Sequence, residues 1–330
     1  MRAAVKPRPR RVWHACQSGK GSADLHLGVG LGYPLPMDVF QKLAQKHPQY
    51  FRDAAVAAAY ELGLFEHASM PPLQAHAPRM RPLIRLLQHE GILTVDSVGI
   101  RLRGPAPPRP ATPVREGWGR LAAVIQDDCP LPAPKHEETV AHLRHLNRIG
   151  APAAAALARE ELAGRSRLLD LGGGGGIYTS AFLEHHPSAK GTLWDQGPAL
   201  SVARETLAAV TDRVTLVEGN FLSDALPGDF DAVLLSNVLH LLGAEACQKL
   251  IRKAAHSLCP DGVLVVKDLV SGTRTSHLFA VNMSLYTVSG DVHSGTSIRK
   301  WMSRAGLALH PDSSPDKGLW AGKTGKDHAV

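Results

Sequence analysis

The segment Arg167-Leu-Leu-Asp-Leu-Gly-Gly-Gly-Gly-Gly-Ile-Tyr-Thr-Ser180 constrains what this chain can become more than any other. A short apolar run carrying an acid, a glycine cluster and a helix-compatible continuation together describe a strand-loop-helix turn that cradles a small-molecule cofactor. Glycine is needed there because the loop must reach positive φ without a Cβ clash, and because its backbone must come close to a ligand. Asp170, Gly172, Gly174 and Gly176 fit a D-x-G-x-G-x-G spacing. That spacing alone leaves open which nucleotide-like cofactor binds.

A chain of 330 residues with 44% hydrophobic content has room for a sizeable core, and reads as a folded protein of one large or two smaller domains. Much of its formal charge of +7 sits in an opening segment with Arg2, Lys6, Arg8, Arg10, Arg11 and Lys20 and no acid before Asp24. This segment reads as a solvated tail rather than a nucleic-acid arm. No run approaches the roughly 18 apolar residues that span a bilayer, and no apolar stretch of a secretory signal follows the basic start. The expectation is therefore a cytoplasmic protein with no membrane partner. Cys16, Cys129, Cys247 and Cys259 are widely spaced and form no metal-binding pattern, so free thiols and no metal are expected. His142/His145 and His185/His186 fall in polar helical stretches and read as surface residues.

Residues 1–36 mix proline, glycine and basic residues without periodicity and read as a disordered tail, with Met37 as a candidate start. From Met37 helical spacing begins, first through Val39, Phe40, Leu43 and Ala44, then through Phe51, Ala55, Ala58, Ala59, Leu62 and Leu64. Met80 to Glu90 reads as a third helix closed by Gly91, and Ile92 to Leu102 as extended chain. Helices followed by a small hairpin suggest a winged-helix module over 37–105. Successive prolines between residues 104 and 115 preclude a regular helix and mark a boundary. Residues 106–164 are then a Pro-rich linker with connecting helices around Gly119–Ile125 and Glu137–Ala163.

From 165 to 330 strands and helices alternate. Strands are expected at Arg167–Leu171, Gly191–Gln196, Val214–Glu218, Phe230–Ser236 and Val263–Leu269, and helices at Ile177–His186, Pro198–Val210 and Ala244–Leu258. This pattern specifies an α/β fold around a mostly parallel sheet covered on both faces. Later helices are expected at His277–Val288 and Ser297–Ala305. Leu307–Leu309 and Gly318–Ala321 supply a terminal antiparallel pair.

A dinucleotide fold normally carries G-x-G-x-x-G after its first strand and an acid roughly 20 residues further on. Asp195 ends the second strand here, where a carboxylate can accept two hydrogen bonds from a ribose. Asp170, at the end of the first, suits a methyltransferase better than a dehydrogenase, because it can hold the cationic amino-acid end of S-adenosylmethionine directly or through water.

Several ordered motifs add to the glycine loop: Glu61-Leu-Gly-Leu-Phe65, Trp194-Asp-Gln-Gly-Pro198, Val217-Glu-Gly-Asn-Phe221, Leu235-Ser-Asn-Val-Leu-His240, Leu258-Cys-Pro-Asp-Gly262, Val266-Lys-Asp268 and Arg304-Ala-Gly306. Over about residues 37–325 the chain resembles the class I S-adenosylmethionine-dependent O-methyltransferases with an N-terminal winged-helix dimerisation domain, a family that includes plant caffeate-type and bacterial antibiotic-tailoring enzymes. The resemblance implies a Rossmann-like methyltransferase domain with a terminal antiparallel strand, a homodimer, and a small aromatic or polyketide-like acceptor of secondary metabolism.

It places cofactor contacts at Asp170, Gly172, Gly174, Asp195, Gln196, Asn220, Phe221 and Ser236. Asn220 stands where the family has an acid that receives the adenine amine; its carbonyl oxygen can still accept, and Phe221 can cover the ring. His240 matches the family's general base. An imidazole's reference pKa of ~6.5 suits removal of a phenol proton near neutrality. Asp268 matches the carboxylate that orients this histidine, with a salt bridge to Lys267 as its plain structural alternative. The family's second supporting acid falls near Ser294, and its Asp-Trp after the histidine is replaced by Leu241-Leu242. Acceptor walls are expected from 137–157 and 277–293, with Asn282, Met283 and Tyr286 as substrate residues.

The alternatives are a C- or N-methyltransferase on the same scaffold, a winged-helix DNA-binding regulator, and a cofactor-binding homologue that transfers no methyl group. Against the regulator, Pro71 to Pro78 offers no first helix of a helix-turn-helix, so no nucleic-acid partner is expected.

Overall fold

The computed structural model describes residues 37–67, 69–73, 76–110, 117–132, 134–310, 313–314 and 318–324. The expected tail at 1–36, with Cys16, lies outside them. Helices α1 (Met37–Lys46), α2 (Pro48–Glu61) and α3 (Arg81–His89) precede a hairpin of β1 (Leu93–Val95) and β2 (Ile100–Leu102). Proline opens α2 at a position whose N–H has no helical partner in any case. Gly104 to Pro110 forms neither helix nor strand, and its Pro107 carbonyl accepts from the Tyr60 hydroxyl at 2.6 Å. Two further helices follow, α4 (Leu121–Asp127) and α5 (His136–Arg159), the latter running through Pro152.

Five parallel strands then alternate with helices: β3 (Arg167–Leu171), α6 (Ile177–His185), β4 (Lys190–Asp195), α7 (Gly197–Thr206), β5 (Val214–Glu218), β6 (Phe230–Ser236), α8 (Ala244–His256) and β7 (Leu258–Lys267). After α9 (Arg274–Tyr286) and α10 (Gly295–Arg304), β8 (Leu307–Leu309) and β9 (Leu319–Thr324) join the sheet antiparallel. The sheet order is β5-β4-β3-β6-β7-β9-β8. This is the doubly wound, Rossmann-like sheet with a terminal antiparallel strand that the alternation specifies.

Period-two burial explains the layers. Leu168, Ala232, Leu234, Val263 and Val265 pack with Phe182 and Leu183 of α6 and Leu200 and Ala203 of α7. Leu169, Leu171, Val233, Leu235, Leu264 and Val266 pack with Leu250 and Ile251 of α8 and Ile298, Trp301 and Met302 of α10. Each fully buried leucine contributes ~1.5–3 kcal/mol. The chain leaves β3 toward β4 on one side and later returns to β6 on the other, which opens a crevice at their carboxyl ends.

Helix α9 follows the last parallel strand, yet its Leu278, Phe279, Val281, Met283 and Leu285 are buried in the core built by α1–α4 and the hairpin. Arg79, only 5% exposed, fixes it there. Its guanidinium donates to the carbonyls of Ser284, Thr287 and Val288 at the end of α9, and its Nε to Asp128. Helix-terminal carbonyls have no intrahelical donor, and a cation suits the negative end of the helix. Replacing Arg79 by methionine keeps the stem but leaves these acceptors unpaired, with an expected loss of ~3 kcal/mol. A lower denaturation midpoint checks it.

Among the described residues no helix is long and apolar enough to cross a membrane, and no disulfide joins Cys129, Cys247 or Cys259.

Candidate active site at the carboxyl ends of the strands

The glycine loop leaves β3 at Gly172, whose φ is +73°. A Cβ there would lie 2.8 Å from Val238 Cγ2 and 3.5 Å from the Phe221 ring, so both backbone conformation and space require glycine. From β4, Asp195 locks the loop: its Oδ2 accepts from the Gly174 N–H at 2.8 Å, and its Oδ1 from the Gln196 N–H at 2.7 Å. Burial raises the Asp195 pKa, and these two backbone donors oppose the rise. The carboxylate keeps further lone pairs for a ligand. From the opposite side Asn147 of α5 donates to the Gly175 carbonyl at 2.8 Å and to the Thr206 hydroxyl at 2.9 Å.

Asp170 lies beneath the loop, 1% exposed. Its Oδ2 accepts from the Thr179 hydroxyl at 2.7 Å, whereas its Oδ1 is buried with no partner among the described residues. Burial pushes its pKa up to about 7, with the Thr179 hydroxyl opposing and the charge of Asp195 adding to the rise. A buried, half-satisfied carboxylate is costly, and a cationic or hydrogen-donating ligand relieves the cost. The residues present therefore fit a cofactor with a cationic end and a backbone-hugging body.

At the end of β5 the Asn220 Oδ1 accepts from the Leu222 N–H at 3.0 Å, while the Asn220 N–H donates to Asp224 at 2.7 Å. One side-chain oxygen lone pair is thus already used in a local turn. Lys253 of α8 stiffens this turn, its ammonium donating to the carbonyls of Phe221, Leu222 and Asp224. Phe221 is 8% exposed and borders the glycine loop. Ser236, at the end of β6, accepts from Asn237 at 3.3 Å and hydrogen-bonds Tyr178.

His240 sits in a 3-10 turn, Leu239–Leu241, just past β6. Its Nδ1 is 2.7 Å from Asp268 Oδ1, and Asp268 Oδ2 accepts from the backbone N–H groups of Leu239 and His240 at 2.8 and 3.3 Å. Asp268 is 5% exposed. Burial alone would raise its pKa, but the charge and hydrogen bond of His240, with backbone donors from Leu269 and His240, hold it below the usual carboxylate value. The side chain that pairs with Asp268 is His240, through Nδ1, and not Lys267. Phe279 of α9 meets the imidazole edge-on, with centroids 5.3 Å apart.

The Asp268 backbone is clamped by the turn that opens β9: its N–H donates to the Gly318 carbonyl at 2.8 Å. At φ +66°, a Cβ on Gly318 would lie 1.8 Å from the Asp268 carbonyl oxygen. Gly318→Ala is expected to cost roughly 3 kcal/mol or more and to displace Asp268 from the imidazole. Melting and turnover should fall together.

Of the remaining expected positions, Ser294 caps α10 by accepting from the Ser297 N–H at 3.1 Å. Leu242 is buried against the sheet. Asn282 and Met283 are buried on α9, with Tyr286 partly buried at its end. Asn282 Oδ1 accepts from Trp118 Nε1 at 3.2 Å. Asn147, Lys253 and Trp118 belong to no sequence motif; only the fold brings them to the site.

A family model described as the O-methyltransferase domain matches residues 137–308. The chain is 30% identical over 155 residues to 3-hydroxy-5-methyl-1-naphthoate 3-O-methyltransferase of Streptomyces sahachiroi, covering 45% of each chain. It is 29% identical over 153 residues to the mitomycin biosynthesis 6-O-methyltransferase of Streptomyces lavendulae, covering 45% of this chain and 44% of that one. The matches thus span less than half the length of these curated relatives. An O-methyltransferase family 2 protein from Planctomyces limnophilus, solved in complex with apigenin, superimposes with a TM-score of 0.65 at 22% identity, covering 88% of this chain and 98% of that one; this likeness establishes the shared fold. With the family match extending over more than half of its 330 residues, the chain belongs to the O-methyltransferase domain family.

Proposed function

We propose that this protein is an S-adenosylmethionine-dependent O-methyltransferase acting on a hydroxyl of a small aromatic or polyketide-like metabolite. The observation that carries this reading is the buried 2.7 Å contact between His240 Nδ1 and Asp268 Oδ1, placed at the carboxyl ends of β6 and β7 beside the glycine loop. Relatives named for naphthoate and mitomycin O-methylation support the acceptor class.

S-adenosylmethionine, when bound, supplies an electrophilic methyl group on a sulfonium. Asp170 would hold the α-ammonium of that cofactor, Asp195 its ribose, Gln196, Asn220 and Phe221 its adenine side, and the Gly172–Gly174 backbone and Ser236 would border it. Asp268 accepts from Nδ1 and so keeps the tautomer in which Nε2 carries a lone pair. Nε2 would take the proton of the acceptor hydroxyl while the new O–CH3 bond replaces the cofactor's S–CH3 bond, the neutral thioether being the leaving group, and Asp268 would stabilise the resulting imidazolium. Alignment in such a site is worth up to ~7–11 kcal/mol, and a positioned base adds ~10²–10⁴-fold.

The same reading makes residues 37–105 a winged-helix dimerisation domain, supported by three helices followed by an antiparallel hairpin. The test is release of S-adenosylhomocysteine from S-adenosylmethionine that depends on an added phenol or naphthol. Release with no phenol dependence would count against the proposal.

A further inference from the structure

Resting on the methyl-transfer reading, we infer that His293 is a positioning residue for the proposed base. It holds the carbonyl end of the turn that carries His240, as Asp268 holds the N–H end, and so fixes where the imidazole points. A helical turn leaves N–H groups unpaired at its start and carbonyls unpaired at its finish. At Leu239–Leu241 the leading N–H groups of Leu239 and His240 go to Asp268 Oδ2. The trailing end needs donors of its own.

His293 supplies one. Its Nε2 lies 2.9 Å from the Leu242 carbonyl oxygen, which can only accept, so this nitrogen carries the N–H. Cys247 of α8 adds a second contact, its Sγ lying 3.3 Å from the Leu239 carbonyl oxygen and 3.3 Å from His293 Nε2. Burial pushes the Cys247 thiol up, and the charges of Asp268 and Asp291 add to the rise, so it keeps the proton it donates and is no nucleophile. Both side chains are buried, and Trp301 packs edge-on against the His293 ring with centroids 4.9 Å apart.

The loop that carries His293 is fitted to the same turn at further points. Gly290 passes so close that a Cβ there would lie 2.7 Å from the His240 carbonyl oxygen and 3.1 Å from that of Leu241. Ser289 accepts from the Gly243 N–H at 3.1 Å. Arg85 of α3 pairs with Asp291, and the His293 carbonyl accepts from the Ser271 N–H at 3.0 Å. The loop between α9 and α10 is therefore anchored on its far side and applied to the backbone of the base. A ring that must meet an acceptor hydroxyl depends on such support, since a displacement of ~1 Å can cost ~10²-fold in rate.

The test compares His293→Phe, which keeps a ring and loses the donor, with His293→Gln, whose Nε2 restores an N–H at a similar reach. In the full chain kcat for phenol methylation should fall ~10- to 10²-fold in His293→Phe and return to within about threefold of wild type in His293→Gln. Affinity for S-adenosylhomocysteine should stay within about twofold in both. A second readout needs no turnover: NMR of isotope-labelled histidine at about pH 9, with the His240 ring signals identified by their absence from His240→Ala. Wild type and His293→Gln should show the proton on Nδ1, and His293→Phe a shift toward an average of the two tautomers. Gly290→Ala, which pushes on the His240 carbonyl from the same loop, should move these signals in the same direction and decides the matter should His293→Phe not fold. Unchanged His240 signals in the folded variants, a loss of kcat that glutamine does not repair, or an equal loss of kcat and cofactor affinity would overturn the inference. The NMR comparison stands whether or not the wild type transfers a methyl group, so failure of the inference and failure of the methyl-transfer reading are seen separately.

Discussion

Replacing His240 by alanine is expected to lower kcat by ~10²–10⁴-fold while leaving S-adenosylhomocysteine affinity within about twofold. The asymmetry follows from where the side chain lies. His240 is past β6, against Phe279 and Asp268, whereas the cofactor contacts are assigned to the glycine loop, the ends of β3, β4 and β5, and Ser236 four positions earlier at the end of β6. Asp268→Asn should reduce turnover in the same direction. An amide can present its N–H₂ to Nδ1 and so stabilise the tautomer that places the proton on Nε2, the nitrogen needed as base. It also removes the charge that stabilises the imidazolium. Steady-state kinetics with a titration of S-adenosylhomocysteine separate these effects. Equal loss of affinity and turnover in His240→Ala would mean that the residue supports the fold rather than the proton transfer.

The second large effect concerns Asp170, and its two readouts have opposite signs. In the unliganded protein its pKa is raised from 3.8 to about 7, chiefly by burial. The folded state then binds more protons than the unfolded state between those values, so this group's contribution to stability is complete below about pH 4 and is lost as pH rises to about 7. The loss is on the order of 4 kcal/mol. Asp170→Asn removes the titration, so the unliganded variant should melt well above wild type at pH 8 and by a markedly smaller margin at pH 5. Its affinity for S-adenosylhomocysteine, whose α-ammonium is cationic at these pH values, should fall at least ~10-fold at pH 8. Wild-type affinity should rise with pH between 6 and 8, and the variant's should not. Melting curves and calorimetry at the two pH values check both arms.

The half of the molecule from β3 onward is legible in the sequence because its signals are local. Leu168 and Leu169 alternate between faces, glycines follow β3 at once, Asp195 ends β4, and His240 lies just beyond β6, strands marked by their apolar runs. The mostly parallel sheet follows from alternation of strand and helix, while its strand order comes from the structure. What is not legible depends on partners far along the chain. Arg79 gives no motif, since the carbonyls it binds lie 205 to 209 positions later. Helix α9 is apolar nearly all round, so its pattern announces burial but not that it completes the core of α1–α4.

Lone polar residues are hard to read for a related reason. Asn220 looks like a ligand acceptor, yet its oxygen also closes a turn onto the Leu222 N–H. Ser294 stands where an acid is expected and instead caps α10. Asn147 and Lys253 reach their carbonyl partners only once the helices have docked. Asp268 is the contrary case: two readings were open, ion pair with Lys267 or partner of His240, and the turn after β6 resolves them by delivering the imidazole and two backbone N–H groups to the same carboxylate.

The central claim is that this site places a methyl group on an acceptor oxygen with His240 as base. It is tested most directly by incubating the protein with S-adenosylmethionine carrying an isotopically labelled methyl group and a panel of phenols and naphthols, then locating the label by NMR. The result expected is a labelled methyl on oxygen, formed by wild type and at least ~10²-fold more slowly by His240→Ala. A label on carbon or nitrogen, or tight cofactor binding with no transfer to any member of the panel, would contradict it.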